Sequence, residues 1–195
     1  FIGRESILEH LDELCSENNT VITLVGSAGT GKSRITTEFA RERLQEFGDG
    51  GGAWLVELED TKTLEDICGA IAIVLEMELS PGTDSSKSVG RALAARGAPL
   101  IILDNFEQVV QHAHDTVDVW RNLAPKAQFI VTSRQPLEIE DEICVPIPPL
   151  ETPSSNSDPT KSEAVILFVD RAKHAHPNYT PTEDDYLIIA RSTGG

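Results

Sequence analysis

Apolar residues along this chain alternate between helical and strand periodicity. In ESILEHLDEL, Ile7, Leu11 and Leu14 share one helical face. VITLVG is an apolar run ending in glycine, the pattern of a fully buried parallel strand. From Ser33 onward, Ile35, Phe39, Ala40 and Leu44 fall together on a helix. GDGGG breaks the pattern before the strand AWLVEL. Thr63 with Asp66 reads as a capping box, after which Leu64, Ile67, Ile71 and Val74 recur at helical spacing. SPGTDSS reads as a loop and SVGRALAARG as a short helix stopping at Gly97. PLIILDN is a strand leading into a helix that carries Val110, Ala113, Val117 and Trp120. QFIVTSR is a further strand, and EICVPIP the fifth. Strands separated by helices predict an α/β fold whose parallel sheet is covered on both faces.

After Leu150 the composition shifts. ETPSSNSDPTKS is rich in Ser and Pro and reads as a linker. Two helical patterns follow, SEAVILFVDRAKHA and PTEDDYLIIARS. The second has Thr180 as its expected cap, Pro181 at the first helical position and Glu183 closing a capping box. Residues 1–150 therefore read as an α/β domain, 151–161 as a linker and 162–195 as the start of a helical domain.

Composition narrows the function. The 195 residues are 39% hydrophobic and 25% charged, ordinary for a globular chain, with 5% aromatics, so the core is mainly aliphatic. Lys and Arg number 16 against 32 Asp and Glu, a formal charge of -16. Such a surface repels nucleic acid phosphates and anionic lipid, so direct contact with nucleic acid or membrane is not expected. An anionic small ligand needs a local cradle. Cys15, Cys68 and Cys144 are far apart and lack ligand spacing, which reads as reduced thiols without a disulfide framework or zinc site. FIGRESILEH contains no apolar run for a signal peptide, and AIAIVL is too short to span a bilayer, so a cytoplasmic setting is expected. The chain begins without Met and stops at STGG, which reads as a piece of something longer.

The cradle is GSAGTGKS, a full match to G-x-x-x-x-G-K-[ST]. It lies between an apolar strand and a helical pattern, the context a phosphate loop requires. Its residues Gly26, Ser27, Ala28, Gly29, Thr30, Gly31, Lys32 and Ser33, with Arg34 next, are the expected contacts to ATP or ADP. Glycines let loop N–H groups close on the phosphates, and the following helix turns its positive end to the same anion. Lys32 is expected at the β- and γ-phosphates and Ser33 on Mg2+. The plainer reading, a glycine-rich turn, explains neither the lysine nor the context.

Given that loop, Asp104 at the end of LIILD is expected to hold the Mg2+ through water. Without the loop it would be a strand-ending Asp that caps the next helix. VTSR puts Thr132, Ser133 and Arg134 at a strand's carboxyl end, where open α/β sheets bind ligands. Arg134 can reach a γ-phosphate there; otherwise it is a solvated loop arginine. His112 and His114, two apart on the expected helix, point in different directions and do not form a metal pair, and His174 and His176 read the same way.

Taken together, FIGRE, GSAGTGKS, LIILDNFEQV, FIVTSR and VPIPPL occur in the order found in STAND-class signal-transduction ATPases. The chain most resembles the NB-ARC-like nucleotide-binding domains of multidomain bacterial signalling and transcriptional regulators. That resemblance implies a P-loop NTPase sheet of five parallel strands in the order 5-1-4-3-2, followed by a helical lid. It implies that Phe1, Ile2, Gly3 and Arg4 lie against the adenine, that Arg134 is the first sensor, and that Pro149 and Leu150 form the hinge to the lid. The family's Gly-Leu-Pro-Leu motif would follow Gly195. The resemblance also implies partners: other domains of the same longer chain and a nucleotide-dependent homo-oligomer.

One position departs from the motor-type relatives. They place Glu directly after the strand-ending Asp, whereas here that place is Asn105, and Glu107 follows two residues later. With Lys32, Asp104 and Arg134, Glu107 is a candidate catalytic group. The favoured expectation is a regulatory switch that hydrolyses ATP slowly. The alternative is an AAA-type motor or loader with steady hydrolysis. A small-molecule kinase would need an acceptor pocket within the α/β domain, and a relic scaffold would bind no nucleotide.

Overall fold

A computed structural model describes residues 3–17, 20–48, 51–150, 152, 158–176 and 179–193. It divides into two compact units, Ile7–Pro148 and a second joining Phe1–Ser6 to Pro149–Gly195. Residues 3–6 thus group with the helical segment.

Five strands form the sheet of the larger unit: β1 (Val21–Val25), β2 (Ala53–Glu57), β3 (Leu100–Asp104), β4 (Gln128–Ser133) and β5 (Glu142–Pro146). Their order is β2-β3-β4-β1-β5 and every pairing is parallel, which is the expected 5-1-4-3-2 sheet. Five helices accompany them: α1 (Glu5–Ser16), α2 (Lys32–Gly48), α3 (Leu64–Val74), α4 (Ser85–Ala95) and α5 (Val117–Leu123). Burial on both faces explains why β3 and β4 read as apolar runs rather than alternations. Ile101, Leu103, Phe129 and Val131 pack in one layer with Ile67, Ile71, Leu93 and Trp120. Leu100, Ile102 and Ile130 pack in the other with Leu11, Ile35 and Phe39.

Register sets where the chemistry falls. Val25 pairs with Ser133, Leu103 with Val131 and Glu57 with Asp104, so the strands end within a residue or two of one another. Loop bonds extend the ladder beyond them, Gly26 N–H to the Ser133 carbonyl at 3.2 Å, Ile147 N–H to the Val25 carbonyl at 2.7 Å and Leu58 N–H to the Asp104 carbonyl at 3.0 Å.

The capping box of α3 is as expected, with Asp66 N–H on Thr63 Oγ1 at 3.1 Å and Thr63 N–H on Asp66 Oδ2 at 2.9 Å. Three expectations need correction. The segment after β3 is not one helix carrying Val110 to Trp120 but two 3-10 turns, Phe106–Gln108 and Val110–His112, before α5 starts at Val117. Asn105 at φ 61° and Val109 at φ -131° interrupt any helical path, while Phe106, Val109, Ala113 and Val117 are buried all the same. The helical spacing there reflected a shared core, not a shared helix. His112 therefore ends a 3-10 turn, and the helix-face argument about it does not apply. Next, α4 starts within the expected loop, at Ser85, because the Asp84 side chain accepts the Lys87 N–H at 3.0 Å. Finally, the cap of the last helix is Thr182 rather than Thr180. Thr182 Oγ1 accepts the Asp185 N–H at 3.3 Å, and Asp185 Oδ2 accepts the Thr182 N–H at 2.8 Å.

In the smaller unit, α6 (Glu163–Ala175) and α7 (Glu183–Thr193) pack through Val165, Val169 and Ile189. Gly3 has φ 72°, a backbone angle that residues with a side chain rarely adopt. Among the described residues no helix is long and apolar enough to cross a membrane.

Trp120 ties α5 to α4 and to the sheet. Its ring stacks on Phe129 with centroids 6.4 Å apart, and its Nε1–H donates to the Ser86 carbonyl at 3.0 Å. Gly90 lets the two helices close, since a Cβ there would meet Leu123 Cδ1 at 2.7 Å. Trp120→Ala should lower the unfolding free energy by about 3–5 kcal/mol in urea denaturation.

Candidate functional site

The phosphate loop leaves β1 at Val25 and enters α2 at Lys32. Gly26 packs too closely for any side chain, since a Cβ there would lie 2.6 Å from the Ile147 carbonyl. Gly29 at φ 78° and Gly31 at φ 89° take backbone angles that other residues avoid, and a Cβ at either would meet no atom of the described residues within 4 Å. The loop is braced from inside. Thr30 Oγ1 donates to the Ser27 carbonyl at 3.1 Å, and Lys32 Nζ donates to the Gly26 and Ser27 carbonyls at 2.8 and 3.0 Å. Lys32 is 7% exposed, so its ammonium is held at the loop rather than in bulk solvent. The first amides of α2 have no acceptor within the helix. A fixed cation, open glycine backbone and a helix N-terminus together are the donor set for a polyphosphate. Ser33 and Arg34 are exposed in the first turn of α2.

Asp104, 7% exposed, closes β3. Its carbonyl accepts from Leu58, and its Oδ1 accepts the hydroxyl proton of Thr132 on β4 at 2.5 Å. Oδ2 makes no hydrogen bond among the described residues. One carboxylate oxygen oriented and one left over fits a group that holds a hard cation through water. Asn105 follows in the left-handed region, at φ 61° and ψ 43°, with its N–H on Thr132 Oγ1 at 3.0 Å. Asn tolerates that conformation better than most residues. This backbone is therefore a structural reason for Asn105, independent of any catalytic one.

Glu107 lies in the first 3-10 turn with its side chain 13% exposed. Its Oε1 accepts from Arg134 Nε at 3.0 Å, while its Oε2 is buried without a hydrogen-bond partner among the described residues. Arg134, just beyond β4, is 58% exposed on its side chain, and its pairing with Glu107 joins the ends of β3 and β4. Ser133 Oγ accepts the Gln135 N–H at 3.2 Å and so shapes the turn that carries Arg134.

The larger unit thus brings together the loop from Gly26 to Ser33 and the strand-end group Asp104, Glu107 and Arg134. The expected adenine contacts Phe1 and Ile2 lie outside the described residues. Gly3, Arg4 and Pro149 belong to the smaller unit, where Arg4 is buried. Reasoning from the chain missed the bond between Thr132 and Asp104 and the pairing of Arg134 with Glu107. The only signal for either was that VTSR turns polar one residue before its strand ends.

Comparison with known proteins places the chain in a family. A family model described as an AAA domain matches residues 15–138, and the chain belongs to that family of P-loop ATPase domains. The chain is 25% identical over 190 residues to the uncharacterized protein Rv0894 of Mycobacterium tuberculosis, covering 97% of this chain and 45% of that one. It is 27% identical over 162 residues to Rv0890c of the same organism, proposed by name to be an HTH-type transcriptional regulator, covering 83% of this chain and 17% of that one. The chain therefore spans less than half of either relative.

Among solved structures, the fold is similar to that of Cdc6p from Pyrobaculum aerophilum, with TM-score 0.63, 17% identity and coverage of 96% and 54% of the two chains. It is also similar to PH0952 of Pyrococcus horikoshii, a signal transduction ATPase with numerous domains and a tetratricopeptide repeat sensor. There the TM-score is 0.56, identity is 17%, and coverage is 100% and 28%. A third likeness is to Drosophila ORC bound to AT-rich DNA and Cdc6, with TM-score 0.52, 13% identity and coverage of 96% and 74%. A fold shared with a DNA-bound assembly gives no support to the expectation that nucleic acid is excluded.

Two predictions follow from this geometry. Lys32→Ala should lose affinity for ADP and ATP, while Asp104→Ala should lose Mg2+-dependent affinity more than metal-free ADP binding, both read by calorimetry. Asn105→Gly should keep the stability of the parent, and Asn105→Glu should lower it by about 1–2 kcal/mol through the left-handed backbone, measured by urea denaturation.

Proposed function

We propose that this domain is an ATP- and ADP-binding regulatory switch that hydrolyses ATP slowly and controls the output or oligomerisation of a longer signalling protein. The observation that carries this reading is the segment after Asp104. A left-handed Asn105 stands where a motor would place its water-activating Glu, and the next carboxylate, Glu107, is committed to Arg134.

In this reading the loop amides and Lys32 hold the β- and γ-phosphates, and Ser33 and Asp104 hold Mg2+. Bound Mg2+ supplies charge neutralisation at the phosphate oxygens. Arg134 senses the γ-phosphate through its remaining guanidinium N–H groups while its Nε–H keeps Glu107. Nucleotide that binds the two states of Arg134 unequally shifts the balance between them. Residues 1–4 at the adenine, a hinge at Pro149 and a helical lid from residue 162 complete the switch. The STAND class, with its NB-ARC-like domain, is supported by the motif order, and the named role of Rv0890c supports a setting in cytoplasmic transcriptional control. The acidic surface, with charge -16, favours contact through other domains of the same chain over direct nucleic acid contact.

The second reading, an AAA-type motor or loader, is favoured by the family match alone. The chain with Mg-ATP should turn over well below about 10 per second, a common rate for enzymes. Nucleotide should also remain bound through purification. Steady turnover above that rate, abolished by Glu107→Gln, would establish the motor instead.

A further inference from the structure

We propose that Thr132 is a positioning residue for the Mg2+-holding carboxylate, an inference that rests on the nucleotide-site reading of Asp104. The Thr132 side chain is fully buried on β4, yet its hydroxyl is used twice. It gives its proton to Asp104 Oδ1 and accepts the N–H of Asn105 at 3.0 Å. A hydroxyl has one proton to give, so the direction of the Asp104 bond is set: the carboxylate accepts.

Strand pairing explains why the hydroxyl stands there. The register of β3 with β4 runs as far as Leu103 and Val131. Two residues on, Asn105 has turned left-handed and its N–H no longer points along a ladder. Thr132 Oγ1 takes the place of the missing strand acceptor. On the other side Leu58 N–H holds the Asp104 carbonyl at 3.0 Å. The backbone of Asp104 is thus gripped from β2 and its side chain from β4.

What this does for function is orientation. A strand-ending aspartate can swing about two side-chain torsions, and a bond to Oδ1 selects one setting and leaves Oδ2 for a water-mediated cation. The same hydroxyl anchors the left-handed turn that aims the following 3-10 turn, and with it Glu107. A merely structural threonine would satisfy itself on a backbone carbonyl, as Thr36 does on Ser33 and Thr61 on Leu58. Thr132 instead spends its proton on an ionisable side chain.

The test measures ADP affinity by calorimetry with and without Mg2+ on the parent chain, Thr132→Val, Thr132→Ser and Asp104→Ala. Valine keeps the shape and removes both hydrogen bonds, and serine keeps both. The Mg2+-dependent gain in affinity should fall at least about tenfold in T132V, as is usual when a residue supporting a metal ligand is lost. Metal-free ADP binding should stay at the parent value, T132S should restore the Mg2+ effect, and T132V should add nothing in the D104A background. If T132V does not fold, Thr132→Ala is judged by the same criteria. A T132V that keeps the parent's Mg2+ effect while D104A loses it overturns the role of Thr132 and leaves the site standing. Equal losses with and without Mg2+, unrescued by serine, make Thr132 a packing residue. A D104A that binds Mg-ADP like the parent overturns the site reading and this inference together.

Discussion

The level at which the parallel strands end is the constraint from which the rest of this molecule follows. β4 lies between β1 and β3, and its pairing with both sets Val25 beside Ser133 and Leu103 beside Val131, so that the three strands end within a residue or two of one another. A one-residue slip would invert the faces of a strand and move its last side chain away from the site. Burial on both faces is what makes such a slip costly, because Leu100, Ile101, Ile102 and Leu103 are all packed. The hydrophobic layers therefore fix the chemistry at the strand ends without touching it.

At that edge, one hydroxyl and one left-handed residue organise the polar groups. Thr132 orients Asp104 and holds Asn105, and Asn105 turns the chain so that Phe106 goes into the core and Glu107 towards Arg134. The polar and apolar demands of the segment are met in the same few residues. That is why it forms 3-10 turns rather than a helix, although its apolar spacing would suit one. Glu107 is the least settled member of the group, with one oxygen paired and the other buried without a partner among the described residues. A buried polar atom of this kind is costly in a resting protein and commonly marks a place where a ligand or a movement completes the bonding.

Much of this was legible in the chain because the physics is local. A phosphate loop needs its glycines, lysine and serine within eight consecutive positions, so Gly26 to Ser33 could be recognised without a fold. A buried parallel strand needs a short apolar run, and all five runs proved to be strands in the expected order. The α3 capping box likewise joins residues three apart. Asp104 was legible one step less directly, since only the loop gave meaning to an aspartate at a strand's end.

Tertiary structure decided what depends on partners distant in sequence. The bond of Thr132 to Asp104 spans 28 positions, and that of Arg134 to Glu107 spans 27. No periodicity encodes either pair; they meet because β3 and β4 are neighbours in register. The meaning of Asn105 also changed with the fold. In the chain it was a missing glutamate, whereas its backbone at φ 61° shows a position that suits asparagine on conformational grounds. The absence of a glutamate there is as much a property of the turn as of the reaction. Sequence determined which groups are present and which strands carry them, because burial and phosphate binding act over a few residues. Only the packed sheet decided which of those groups touch.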